Sequence, residues 1–298
     1  MADTTQGTRF GLSCALLTPF GADGRVDPGR LARHAARVLD EGCDGVTLCG
    51  TTGEGASVAL QERAVMLGAL ARAGIAGERI HVGVAASVVD DAVAQGRQAL
   101  DAGAAGLLLA PPFYFKGVGD EGLLAWFCAV IGALEGARGI VLYHIPSVTA
   151  VPLSVDLVGR LRRAFPEAIT GVKDSSGDWA TTQGFLAAHG DLAILVGDER
   201  ILPRAVRAGA GGSICGLANI VAGRLRPIVH EGRDDAAVSA LVEAVVARPI
   251  VPALKSAVAR ATRDADWAAV RPPLTALSAA EAGAFLAEHD AILGGATA

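Results

Sequence analysis

Gly139-Ile140-Val141-Leu142-Tyr143-His144, then a stretch of helical periodicity from Ser154 to Ala164, then Ile169-Thr170-Gly171-Val172-Lys173: residues 139 to 173 read as strand, helix, strand. Runs apolar on both faces need cover on both sides, as in a parallel sheet flanked by helices. The helix between them supplies the crossover that a parallel pair requires. Working outward, the same unit recurs. Further apolar runs lie at Leu12 to Leu17, Gly45 to Cys49, Ile80 to Ala85, Gly106 to Ala110, Ala193 to Val196 and Gly212 to Cys215, which makes eight in all. Helical periodicity follows at Asp27 to Asp40, Ala59 to Ala73, Asp90 to Ala102, Glu121 to Leu134 and Thr181 to His189. Strand starts are roughly 29 residues apart, the size of one such unit. Eight of them predict an α/β protein folded as a (β/α)8 TIM barrel. A doubly wound open sheet would need fewer strands and usually a glycine fingerprint after the first. Here the first run passes into Thr18-Pro19-Phe20 with no G-x-G-x-x-G. Beyond the eighth strand, helical patterns at Ala236 to Val246, Val251 to Arg260 and Ala279 to Ala291 exceed what one unit needs. The expected division is a barrel over residues 8–232 and a C-terminal helical extension over 233–298.

The 298 residues are 51% hydrophobic and 19% charged, with 38 Gly and 13 Pro, so the chain has ample material for one large core. A net charge of -5 without a basic stripe argues against nucleic acid or an anionic membrane as partner. Five cysteines, Cys14, Cys43, Cys49, Cys128 and Cys215, are odd in number and include no C-x-x-C. Neither a disulfide framework nor a zinc site is expected, and the compartment is read as reducing. The start, Met-Ala-Asp-Thr-Thr-Gln-Gly-Thr-Arg, carries no signal pattern, and the longest uncharged stretch, Ala208 to Gly223, is too short to span a bilayer. The expectation is a cytoplasmic protein acting on small molecules.

In such barrels, function sits where strands end in loops at the carboxyl face. Of 26 basic residues only three are lysine, Lys116, Lys173 and Lys255, so a lysine in an apolar strand asks for a reason. At the end of strand six, Ile169, Gly171 and Lys173 share a face. Pointing into the barrel mouth, Lys173 would lose solvation, which favours the neutral amine and makes it a nucleophile for carbonyl carbon. Gly171 is expected to leave room beside it. A lysine that pairs with Asp174 is the structural alternative. One strand away, Tyr143 stands at a comparable level and could relay protons, or simply pack by its ring. His144, of opposite parity, is expected to pack or to support. After strand two, Gly50-Thr51-Thr52-Gly53-Glu54-Gly55 offers hydroxyls and free N–H groups suited to a carboxylate; helix capping by Thr51 or Thr52, with Glu54 in the first turn, fits the same residues.

Gly50-Thr51-Thr52-Gly53-Glu54, Tyr143-His144-Ile145-Pro146 and Gly171-Val172-Lys173-Asp174, in this order and at these distances, resemble the dihydrodipicolinate synthase / N-acetylneuraminate lyase family over essentially the whole chain. The resemblance implies a class I aldolase of the pyruvate type that uses no metal and no organic cofactor, and a homotetramer built as a dimer of dimers. It places the Schiff-base lysine on Lys173, the proton-relaying tyrosine on Tyr143 and the relay hydroxyl on Thr51. The pyruvate carboxylate falls to Thr52 and the backbone of Gly53. Tyr114, in Pro111-Pro112-Phe113-Tyr114-Phe115, matches the aromatic residue that enters a neighbouring subunit's site. Ile214 matches a residue whose backbone carbonyl faces the site, and Asp198 and Glu199 match a loop that touches the second substrate.

The chain also departs from its relatives. Dihydrodipicolinate synthases carry an arginine two residues after the proline of the tyrosine motif; here that residue is Val148. An aliphatic side chain cannot hold a carboxylate bidentately. His144 replaces the usual asparagine, and Gly216 stands near the serine of N-acetylneuraminate lyases. With Asp198, Glu199, Ser175 and Ser176 as hydroxyl binders, the first expectation is reversible cleavage of a 2-oxo-3-deoxy sugar acid to pyruvate and an aldehyde. Dihydrodipicolinate synthesis and dehydration of such an acid are the alternatives within the same chemistry. A regulator that binds a 2-oxo acid or sugar is the alternative outside catalysis.

Overall fold

The computed structural model describes residues 9–295. Eight parallel strands close on themselves in sequence order: β1 (Gly11–Ala15), β2 (Gly45–Leu48), β3 (Ile80–Val84), β4 (Gly106–Leu109), β5 (Ile140–His144), β6 (Ile169–Asp174), β7 (Ala193–Val196) and β8 (Gly212–Cys215). Closure runs through β1 and β8, with Leu12 opposite Ser213 and Cys14 opposite Cys215. Around the barrel lie α1 (Pro28–Asp40), α2 (Leu60–Arg72), α3 (Val89–Asp101), α4 (Asp120–Ala133), the single turn α5 (Pro146–Thr149), α6 (Val155–Ala164), α7 (Trp179–Ala188), α8 (Leu202–Arg207) and α9 (Ala218–Glu231). The chain then adds α10 (Ala236–Val246), α11 (Ile250–Thr262) and α12 (Ala279–Gly294). The (β/α)8 barrel expected from the sequence is thus the fold. Thr8 and residues 296–298, the ends of the two expected segments, lie outside the described residues.

Local signals place the helix starts. Asp27 accepts from Arg30 N at 2.8 Å ahead of Pro28, and Ser154 accepts from Leu157 N at 2.9 Å. Helix α7 begins two residues before the periodicity suggests, because Asp178 accepts from the backbone of Ala180 and Thr181. The turn α5 has no counterpart in the periodicity: Pro146 starts it directly after β5, and it carries Ser147 and Val148 to the barrel mouth.

Two apolar cores result. A large one fills the space between strands and helices, with Leu12, Leu48, Leu107, Leu142 and Val172 packed beneath Leu31, Leu70, Phe127 and Phe185. A smaller one fills the barrel interior with Ala15, Leu108, Val141, Tyr143, Leu195 and Ile214. The parity of each strand decides which core a residue enters. In the register of β5 and β6, Tyr143 is paired with Lys173 and Val141 with Gly171. No single helix among the described residues is long and apolar enough to cross a membrane; α10 and α11 reach that length only as a pair bent by 119°. All five cysteines are free.

Candidate active site

Strand β6 sends Lys173 into the carboxyl mouth of the barrel, where it is 5% exposed. Its Nζ donates to Tyr143 Oη at 3.2 Å and lies 4.3 Å from the centre of that ring. Asp174 is not its partner. That carboxylate accepts from Thr182 Oγ1 at 2.6 Å and from Ser176 N at 2.9 Å, on the outer side of the strand. Gly171 does not open space for a ligand as expected. A Cβ there would lie 2.6 Å from the Ala193 carbonyl, so the glycine lets β7 come close. Gly197 is the residue that spares the site, since a Cβ would collide with Ser175 Oγ and lie 3.3 Å from Lys173 Cε.

Tyr143 is buried at the hub of the polar groups. Thr51 Oγ1 stands 3.5 Å from its hydroxyl. Burial alone would push its ionisation up, but the Lys173 ammonium and hydrogen bonds with Thr51, Lys173 and Ser175 outweigh it and hold the phenol below its ordinary value. His144 faces the other way, as its parity predicts. Its Nδ1 accepts from Leu153 N at 3.0 Å, its ring meets Phe185 edge-on, and burial, opposed by the Asp174 charge, lowers its pKa.

The loop after β2 is not a helix cap. Residues 51–54 form a turn into a short 3-10 segment, Gly55–Ser57, and α2 starts only at Leu60. Glu54 takes a left-handed conformation, φ 53°, and reverses the chain. Its carboxylate is buried and pairs with Lys255 Nζ at 2.5 Å, while Arg271 N donates to its other oxygen at 2.9 Å. Arg63, also buried, donates to the carbonyls of Gly55 and Gly83, each at 2.7 Å. Thr18 Oγ1 donates to the Gly53 carbonyl at 2.6 Å. The loop that presents Thr51 and Thr52 is therefore clamped by the segment after β1, by α2, by α11 and by the segment before α12. Sequence reading misses Lys255, Arg63 and Arg271. The available signal was a lysine set among apolar residues of a helix, with Leu254, Ala257 and Val258 beside it.

A cavity of about 250 Å³ opens over Lys173, lined by Thr51, Thr52, Tyr143, Ser175, Asp198, Glu199 and Ile214 among others. Eight of the ten expected site residues thus meet at one mouth, and Gly53 supports the loop from behind. A Cβ at Gly53 would lie 2.6 Å from the Leu16 carbonyl. A second hollow, about 490 Å³, shares Thr51, Tyr143, Ile145 and Val148 and extends toward Phe113 and Leu274. Tyr114 stands apart. Within one chain it lines neither cavity, is 73% exposed and packs edge-on against the equally exposed Phe115.

The Dihydrodipicolinate synthetase family model matches residues 9–288, nearly the whole chain and every element that builds the site. The chain belongs to this family. Its members are class I aldolases and lyases, and it is an enzyme of that kind. A Chloroflexus aurantiacus protein described as an uncharacterised DapA-like lyase is 36% identical over 295 residues, 96% of this chain and 98% of that one. The crystal structure of dihydrodipicolinate synthase from Agrobacterium tumefaciens superposes with a TM-score of 0.93 at 49% identity, covering 95% of this chain and 99% of that one. A variant of the Sulfolobus solfataricus 2-keto-3-deoxygluconate aldolase shares the fold at 19% identity, with a TM-score of 0.84 over 96% of this chain and 97% of that one.

Proposed function

We propose that this family member forms a Schiff base between Lys173 and a 2-oxo acid and runs a reversible, pyruvate-dependent aldol reaction. The observation that carries the reading is the pair Lys173 Nζ and Tyr143 Oη, 3.2 Å apart and buried at the floor of an open cavity. The neutral amine attacks C2 of pyruvate, and loss of water leaves an imine whose cationic nitrogen withdraws electrons from C3. Tyr143, its phenol eased toward ionisation, moves the protons that carbinolamine collapse and C3 deprotonation require. Thr52 and the N–H of Gly53 receive the pyruvate carboxylate. Thr51 continues the relay from Tyr143, and Tyr114 reaches it from a neighbouring subunit of the proposed homotetramer. A cytoplasmic setting belongs to the same proposal.

The first-ranked substrate from the sequence, a 2-oxo-3-deoxy sugar acid, draws on Asp198, Glu199 and Ser175 for its hydroxyls, and all three line the cavity. Similarity to the Agrobacterium dihydrodipicolinate synthase favours the alternative, 4-hydroxy-tetrahydrodipicolinate synthesis. Against it stands Val148 at the mouth, 60% exposed, where a carboxylate-binding arginine would be needed.

Incubation with pyruvate and borohydride, followed by peptide mass, tests the common chemistry. The expected result is a pyruvyl adduct on Lys173 that Lys173→Ala abolishes. Folded protein without an adduct on Lys173 would overturn the imine and leave the binding protein as the better reading.

A further inference from the structure

We infer that the second substrate of this site is an uncharged aldehyde carrying an apolar chain or ring; the inference rests on the imine reading above and concerns the far half of the same cavity. Three observations point there. The first is charge: Lys173 is the only cation among the lining residues, which also include the acids Asp198 and Glu199. A second carboxylate, beyond the one on pyruvate, would find no cationic partner among the lining residues.

The second is that three of the polar groups lining the cavity, Asp198, Glu199 and Ser175, already have partners. Asp198 takes Arg200 Nε at 3.0 Å on one oxygen and Nη2 at 2.6 Å on the other. Glu199 is buried and accepts from Leu217 N at 3.3 Å. Ser175 also bonds to the Tyr143 phenol. A polyhydroxy chain would compete with these contacts, with the Ser147 hydroxyl on the α5 side as a further partner.

The third is the opposite wall. Helices α10 and α11 turn Val242, Val246, Ile250, Val251 and Leu254 toward the cavity, and Val148 closes it from α5. Val246 and Ile250 are 45% and 47% exposed, so these side chains face water at the mouth rather than packing within the protein. An apolar ligand that covers them recovers that contact. In the reaction, the enamine carbon C3 attacks the aldehyde carbon, the C3–C4 bond forms, and the aldehyde oxygen takes a proton. Water then hydrolyses the imine and frees a 4-hydroxy-2-oxo acid with an apolar tail.

The test compares kcat/KM for butanal and benzaldehyde with those for glyceraldehyde and glyoxylate, each with pyruvate, by mass detection of the aldol product. Borohydride trapping of pyruvate on Lys173 runs beside it. The expected result is an adduct together with at least about a tenfold preference for butanal or benzaldehyde, the discrimination typical of one or two methylenes in an apolar pocket. Val148→Arg should raise glyoxylate turnover relative to butanal. An adduct with equal or faster turnover of glyceraldehyde or glyoxylate, or with no aldehyde accepted, overturns the inference and leaves the imine reading standing. No adduct overturns both.

Discussion

Lys173 and Lys255 are both buried, at 5% and 0% exposure, and each Nζ lies over an aromatic ring, 4.3 Å from the centre of Tyr143 and 4.4 Å from that of Phe20. They differ in what else they touch. Lys255 has the Glu54 carboxylate at 2.5 Å and the Ala269 carbonyl at 2.5 Å. Burial lowers its pKa below the ordinary lysine value, and the Glu54 carboxylate only partly opposes this. Lys173 has a phenol at 3.2 Å and, among the described residues, no carboxylate at ion-pair distance. An amine held between a buried carboxylate and a carbonyl ties α11 to the loop after β2 and serves the fold. The amine of Lys173 meets a phenol instead of a carboxylate, and it lies at the floor of a cavity. The partner set, rather than burial, separates the lysine that holds the loop from the one proposed to react.

The comparison predicts opposite consequences for removing each amine. Lys173→Ala should lower turnover on the order of 10³-fold or more while the denaturation midpoint stays nearly unchanged. Residual turnover within about tenfold of wild type would break the distinction. Tyr143→Phe tests the phenol alone. It should cost about 10²-fold in kcat, the lower end of what a positioned proton donor contributes. Lys255→Met acts on the other side. It leaves Glu54 buried without its cation, which should cost about 3–5 kcal/mol of stability, and adding Glu54→Gln should restore more than half of that. Urea titration of the two variants decides it; a single variant as stable as wild type would show that the pair is not what holds the loop.

Why one lysine is legible in the sequence and the other is not follows from how far apart the partners lie. Strands β7 and β8 have the bounds that apolar runs predict, and the other six agree to within two residues at each end, because a strand covered on both faces is written in consecutive residues. The pairing of Tyr143 with Lys173 is legible for the same reason: parity on two neighbouring strands sets it. Glu54 and Lys255 belong to opposite ends of the chain, and no local pattern joins them. Glu54 reads as a first-turn helix residue because T-T-G-E resembles a cap. Its left-handed backbone and the close approach of Gly55, where a Cβ would collide with the Cys49 carbonyl, are tertiary facts. The engagement of Asp198 by Arg200, only two residues away, is local yet escapes the reading, since spacing alone does not say whether an acid faces a ligand or its neighbour.

Glu199 sharpens the comparison from the acidic side. It is buried like Glu54 but, among the described residues, has no cation in contact; its partner is the Leu217 N–H. Burial pushes its carboxyl from an ordinary value near 4.5 up to about 7; the Asp198 charge adds to this, and backbone hydrogen bonds oppose it. Because the folded state holds this proton more tightly than the unfolded chain, the group's contribution is fully present below pH 4.5. It is lost as the pH rises through about 7, for a difference of about 3 kcal/mol at most. Glu199→Gln is neutral at every pH and should remove that slope. The stability of wild type relative to the variant is therefore expected to fall between about pH 4.5 and about pH 8. Parallel stability curves for the two proteins would mean that the carboxyl is solvated through the cavity. Cavity water would then stand where Lys255 stands for Glu54.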